Sequence, residues 1–144
     1  MIQEQTLELI PVDSLVDKVR ILRDGGYRLV QVSANRLSEH IEITYSFDFK
    51  GKLANLRLHL PSAEPRLPSI SSVYGCVVLY ENEIHDLFNI KVEGMAVDFK
   101  GQFYKTAVKF PFGRVKPPAA KPTSGATSKA APSPAAATAP AAAQ

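Results

Sequence analysis

IEITYSFDFKGKLANLRLHL, residues 41–60, is the stretch that decides the fold. Ile41, Ile43, Tyr45, Phe47 and Phe49 alternate with Glu42, Thr44, Ser46 and Asp48. A period of two puts each set on its own face of a strand, one apolar and one wet. Lys50-Gly51 supplies a turn, because glycine takes positive φ without steric cost. Residues 53–60 then return as a second strand with Leu56, Leu58 and Leu60 inward. The wet face carries Glu42 and Asp48, which repel phosphate. An aromatic platform for single-stranded nucleic acid needs basic residues there instead, so a nucleic-acid partner is not expected.

Working outward, YRLVQVS at 27–33 is continuous and β-rich and predicts a central strand. Before it, Leu15, Val16, Val19, Ile21 and Leu22 recur at helical spacing, with Asp13 or Ser14 as cap and Gly25-Gly26 as stop. Residues 6–10 predict an edge strand closed by Pro11. A Pro-rich connector at 61–70 leads to a second predicted helix, from Ser71 or Ser72 to about Phe88. Val73, Val77, Tyr80, Ile84, Leu87 and Phe88 share one face of it, and Val78 and Leu79 lie on the other. A helix apolar on both sides is buried on both sides, either by an internal layer or by a partner protein, and the small size of the domain favours the partner. Residues 90–92 and 97–99 predict short strands. The fold class is α+β: a mainly antiparallel sheet with two packed helices.

The chain has 144 residues, a net charge of +3 and 45% apolar content. Residues 114–144 are Pro, Ala, Ser and Thr with a few basic residues, a composition that cannot bury enough surface to offset its ordering entropy. The expected organisation is a folded domain over 1–113 and a disordered tail over 114–144. Arg114, Lys116, Lys121 and Lys129 belong to the tail, so the domain itself is nearly neutral. The single cysteine, Cys76, permits neither an internal disulfide nor an iron–sulfur cluster, and reads as a small buried apolar residue. No secretory leader and no membrane-length apolar run is legible. This predicts a cytoplasmic chain that reaches a membrane only through others.

No catalytic constellation, cofactor loop or metal site is expected. Glu81 and His85 stand four apart on the second helix, but a metal needs three or four converging ligands. His40 and His59 lie on different segments, with nothing in the sequence to bring them together, and His85 reads as a surface residue. A free-standing metal-dependent enzyme built on Glu81 and His85 is the weakest of the readings. The stretch YENEIHDLFNI, 80–90, raises a sharper question. Glu81, Glu83 and Asp86 crowd what reads as the helix C-terminal end, where the dipole disfavours anions by about 0.3–1 kcal/mol each.

Residues 67–94, LPSISSVYGCVVLYENEIHDLFNIKVEG, resemble the signature of the C subunit of NADH–quinone oxidoreductase, respiratory complex I. The matching residues are Pro68-Ser69-Ile70, Glu81, Glu83, Asp86, Leu87, Phe88, Ile90 and Gly94, with Asn89 where the family usually has Gly. Family members continue with a Gly-His-Pro-Asp-Leu-Arg-Arg-like stretch, whereas this chain has EGMAVDFKGQFYK. That departure, with the short length, is closer to the equivalent subunit of energy-converting membrane-bound [NiFe] hydrogenases of the Ech and carbon-monoxide-induced types. The resemblance implies a hydrophilic, non-catalytic, cofactor-free subunit. It would pack against the hydrogenase large subunit and iron–sulfur small subunit, or their complex I equivalents, on the cytoplasmic face of the membrane. The NiFe centre and iron–sulfur clusters would sit in those partners, and the complex would couple electron transport from ferredoxin to ion or proton translocation. The alternative is a complex I-type dehydrogenase. On either reading Val78, Leu79, Glu81, Glu83, Asp86, Leu87 and Phe88 form the expected partner interface, with cations of the partner neutralising the misplaced acids.

Overall fold

The computed structural model describes residues 4–113. In chain order its elements are β1 (Gln5–Leu9), α1 (Leu15–Asp24), β2 (Arg28–Arg36), β3 (His40–Phe49), β4 (Lys52–Pro61), β5 (Arg66–Pro68), α2 (Val78–Phe88) and β6 (Lys91–Glu93). Short 3-10 turns at Val12–Ser14 and Gly75–Val77 lead into the two helices. The α+β class holds: a four-stranded sheet in the order β1-β4-β3-β2, and a small parallel pair, β5-β6.

The hairpin read from 41–60 forms in register, with Ile43 opposite Leu58 and Tyr45 opposite Leu56. Lys50 and Gly51 both take positive φ, 51° and 83°, the pairing that matches strand twist in a two-residue turn. The tetrapeptide Asp48-Phe49-Lys50-Gly51 recurs at 98–101, and there Lys100 and Gly101 again take positive φ, 54° and 77°. Ile41, Ile43, Tyr45, Phe47, Leu58 and Leu60 are buried. They form one core with Leu15 and Val19 of α1 and Ile84 of α2. Each large side chain buried there contributes about 1.5–3 kcal/mol. The other sheet face keeps its polar set, including Glu42, Thr44, Ser46, Asn55, Arg57 and His59.

Two strand expectations change. The pattern at 27–33 predicts a strand in the middle of the sheet, but β2 is an edge strand, and most of its side chains are exposed or half-exposed. β1 is the opposite edge, as residues 6–10 suggest, yet it runs parallel to β4, with Leu7 opposite Asn55. The 3-10 turn and α1 that follow β1 allow that direction, because a parallel neighbour needs a crossover and not a tight turn. Residues 97–99 form no strand. The predicted tail, 114–144, lies outside the described residues.

Candidate functional site: helix α2 and the segment wrapped on it

α2 starts later than its sequence suggests. Neither Ser71 nor Ser72 caps it; the chain first passes through the 3-10 turn, and regular helix begins at Val78. Glu81 therefore stands in the first turn, the end where the dipole favours an anion. Asn89 ends the helix in the left-handed conformation, φ 58° and ψ 39°. This conformation is favourable for Gly and tolerated by Asn, so Asn in place of the family's usual Gly is a mild change.

Glu81 points into the interior of its own chain. It is fully buried. The Ser69 hydroxyl donates to Glu81 Oε2 at 2.6 Å, and the Ile70 N–H donates to Oε1 at 2.8 Å. Burial raises its carboxyl pKa, and the two hydrogen bonds act the other way. Nearby, the buried Tyr45 hydroxyl has no hydrogen-bond partner. Its pKa is raised well above the ordinary value, by burial first and by the Glu81 charge second. Pro68-Ser69-Ile70 and the acidic helix are thus two halves of one latch.

Asp86 is also buried and engaged within the chain. The Tyr104 N–H donates to its Oδ2 at 2.9 Å, and His85 Nδ1 lies 2.9 Å from Oδ1. The sequence reading missed Asn82, which is fully buried. Its Nδ2 donates to the carbonyls of Val78 and Val97, and its Oδ1 accepts from the Phe99 N–H. Val78, Asn82 and Asp86 recur every four residues, so they share one face. The chain's own irregular segment, 94–113, is strung along that face. The Phe112 N–H adds a bond to the Leu87 carbonyl, and the Phe88 and Phe112 rings lie 5.4 Å apart. A legible signal existed: Asn at helical spacing between Val78 and Asp86, on a face otherwise read as apolar.

The interface expectation therefore divides. Glu81 and Asp86 serve the interior. Val78, Leu87 and Phe88 are half-buried. Leu79 remains open, 56% exposed, with Glu83 partly exposed on the same helix face one turn on. The Tyr104 hydroxyl lies 3.5 Å from Glu83 Oε2. Beside them the wrapped segment exposes Val97, Phe99, Tyr104, Val108 and Phe112. This is a continuous stretch of chain whose polar backbone groups are partly tied to α2 and which leaves several of its large side chains exposed.

The remaining site candidates also move. Cys76 is exposed, not buried, because the residues around it form a 3-10 turn in which Val77 takes the inward position. His85 is partly covered, its ring edge-on to Phe110 at 6.1 Å. It does not converge with Glu81, whose oxygens are occupied by Ser69 and Ile70. His40 and His59, by contrast, are neighbours: their rings lie 4.3 Å apart, with Glu42 against both. Adjacent antiparallel strands bring together what linear sequence separates.

A small α+β domain with its signature helix latched to a Pro-Ser-Ile strand exit defines the class. The family model of the respiratory-chain NADH dehydrogenase 30 Kd subunit matches residues 9–106. The chain belongs to that family. Two curated relatives from two strains of Thermus thermophilus, one named as subunit 5 and the other as the C subunit of NADH-quinone oxidoreductase, are each 36% identical over 47 residues. That match covers 33% of this chain and only 23% of each relative. Among solved structures, the archaeal membrane-bound sulfane sulfur reductase, a respiratory membrane complex, contains a chain with the same fold. The TM-score is 0.63 at 21% identity, over 70% of this chain and 64% of that one. A trypsin-resistant fragment of Nqo5 aligns with a TM-score of 0.57 at 20% identity, over 65% of this chain and 82% of that one. No helix among the described residues is long and apolar enough to cross a membrane.

Proposed function

We propose that this chain is a non-catalytic peripheral subunit of an energy-converting, membrane-bound oxidoreductase of the [NiFe]-hydrogenase type. It seats on the large subunit through Leu79, Glu83 and the outer side of the segment wrapped on α2. The observation that carries this reading is the placement of exposed large apolar side chains. Leu79, Val97, Phe99, Tyr104, Val108 and Phe112 belong to α2 or to the segment after it, next to the family signature, whereas the other exposed large apolar side chains, Leu7, Leu9, Ile21, Val30 and Leu37, are spread over β1, α1, β2 and the loop that follows it. Apolar side chains gathered in this way mark interaction surfaces. Glu83 then meets a Lys or Arg of the partner at the rim. The NiFe centre and iron–sulfur clusters reside in partner subunits, and this chain supports assembly and the coupling of ferredoxin-linked hydrogen chemistry to ion transport. The sequence EGMAVDFKGQFYK after the signature favours the hydrogenase type.

A second reading, the C subunit of a complex I-type NADH–quinone dehydrogenase, is favoured by the 36% identity to the Thermus subunits. Purification of the tagged chain from its native host, with identification of the chains that come with it, separates the two. A large subunit with paired Cys-x-x-Cys motifs supports the hydrogenase reading. A large subunit without them supports the dehydrogenase. Recovery of no oxidoreductase subunit contradicts both.

A further inference from the structure

The polar face of the sheet carries a cluster that the partner reading leaves unused. His40 and Glu42 are two apart on β3, so they share that face, and His59 stands directly opposite Glu42 on β4. His59 Nε2 lies 3.3 Å from Glu42 Oε1, and His40 Nε2 lies 3.8 Å from the same oxygen. The ligating atoms of all three lie within 4.8 Å of one another. His40 Nε2 is buried without a hydrogen-bond partner, a state that buried polar atoms rarely keep unless something fills the gap.

We propose that His40, Glu42 and His59 form a binding site for a divalent transition metal of the zinc class. Two imidazole nitrogens and one carboxylate oxygen suit zinc, copper or nickel better than magnesium or calcium, which prefer all-oxygen shells. Ligand atoms at zinc's bond lengths, placed at the corners of a tetrahedron, stand about 3.3–3.5 Å apart. The His59–Glu42 separation already meets this, and the His40–Glu42 separation needs only a small ring movement. Three protein ligands leave a fourth position for water or for a donor from a neighbouring subunit. Arg57 is the nearby cation. Its Nη1 lies 3.9 Å from Glu42 Oε2, and its Nε donates to Thr44 Oγ1 at 3.1 Å. It therefore engages the carboxylate oxygen that the histidines do not, leaving Oε1 for the metal. Supporting contacts of this kind orient metal ligands. The three residues sit on paired strands of one hairpin, so the site is fixed by the backbone ladder and not by a mobile loop.

The test is zinc titration of the full chain against a chromophoric chelator, with cobalt as a spectroscopic stand-in. One equivalent of zinc should bind, and cobalt should give the intense visible absorption of a four-coordinate ion. His59→Gln, at an exposed position, should retain the fold by circular dichroism and weaken zinc binding by about 100-fold, at the top of the range for losing even a supporting residue. His40→Gln should do the same, and His85→Gln should change nothing. Failure to bind a stoichiometric ion overturns the proposal. So does binding that survives both His40→Gln and His59→Gln, or binding that is lost with His85→Gln.

Discussion

The β3–β4 hairpin and the α2 region are held together by different means. In the hairpin, backbone ladders and an alternating apolar face supply the cohesion, and the register repeats without a break from His40–Pro61 to Phe49–Lys52. Around α2, an irregular segment is held by single side chains: Asn82 on Val97 and Phe99, Asp86 on Tyr104, Glu81 on the strand exit at Ile70. A ladder spreads stability over many bonds, whereas the wrapped segment depends on a few buried polar atoms. The region that carries the family signature is therefore the one whose shape is easiest to change without unfolding the sheet.

Damage to the hairpin should have the largest effect. Phe47 is fully buried, with its ring 5.6 Å from that of Tyr74. Phe47→Ala should cost about 3–5 kcal/mol, read as a cooperative shift of the whole denaturation curve. Damage around α2 should be smaller and local. Asn82→Ala removes three hydrogen bonds and leaves the Phe99 N–H without its partner, a loss of about 2 kcal/mol. Hydrogen exchange should then rise across residues 95–104 and stay unchanged in β3 and β4. Uniform exchange through the sheet would erase the distinction between the two regions.

Titration of Glu81 separates the two regions further. Its carboxyl is raised above the ordinary value by burial, despite its two hydrogen bonds. A raised folded-state value means the native state binds the proton more tightly than the unfolded state. The stabilisation from Glu81 is thus fully present below the unfolded value and is lost as pH rises through the folded one. As pH rises above the ordinary carboxyl range, near about pH 4, Glu81→Gln should flatten the fall in melting temperature. An unchanged slope would show that Glu81 does not set it.

The same contrast explains what is legible in the sequence. Alternation in 41–60 predicts the hairpin, its turn and its inward residues, because a period of two has one structural meaning once a face is buried. The acidic helix is legible as a motif but not as a geometry. Its true start at Val78 depends on the 3-10 turn before it, and no cap residue announces that turn. Once the start moves, Glu81 changes ends of the helix, and of the three acids only Glu83 still calls for a partner cation. The convergence of His40 and His59 is hidden for a related reason: it depends on register, which Glu42 and His59 share only after the strands pair. Asn82 hints that the Val78, Asn82 and Asp86 face is covered, but which segment covers it is out of reach, since residues 94–113 have no periodicity to read.

The smallest effect on the isolated chain belongs to the surface that the functional reading needs. Leu79→Ser with Glu83→Gln changes one exposed apolar and one partly exposed acidic side chain, so stability should move by no more than about 0.5 kcal/mol. In the assembled oxidoreductase Leu79 would be buried, worth about 1.5–3 kcal/mol, or roughly tenfold or more in association. The decisive measurement is paired: thermal unfolding of the free double variant, and recovery of the large subunit with it from the native host. The melting curve should be unchanged, with recovery reduced at least tenfold. A variant that melts like the parent chain and still recovers the large subunit in full would contradict a docking role for this face.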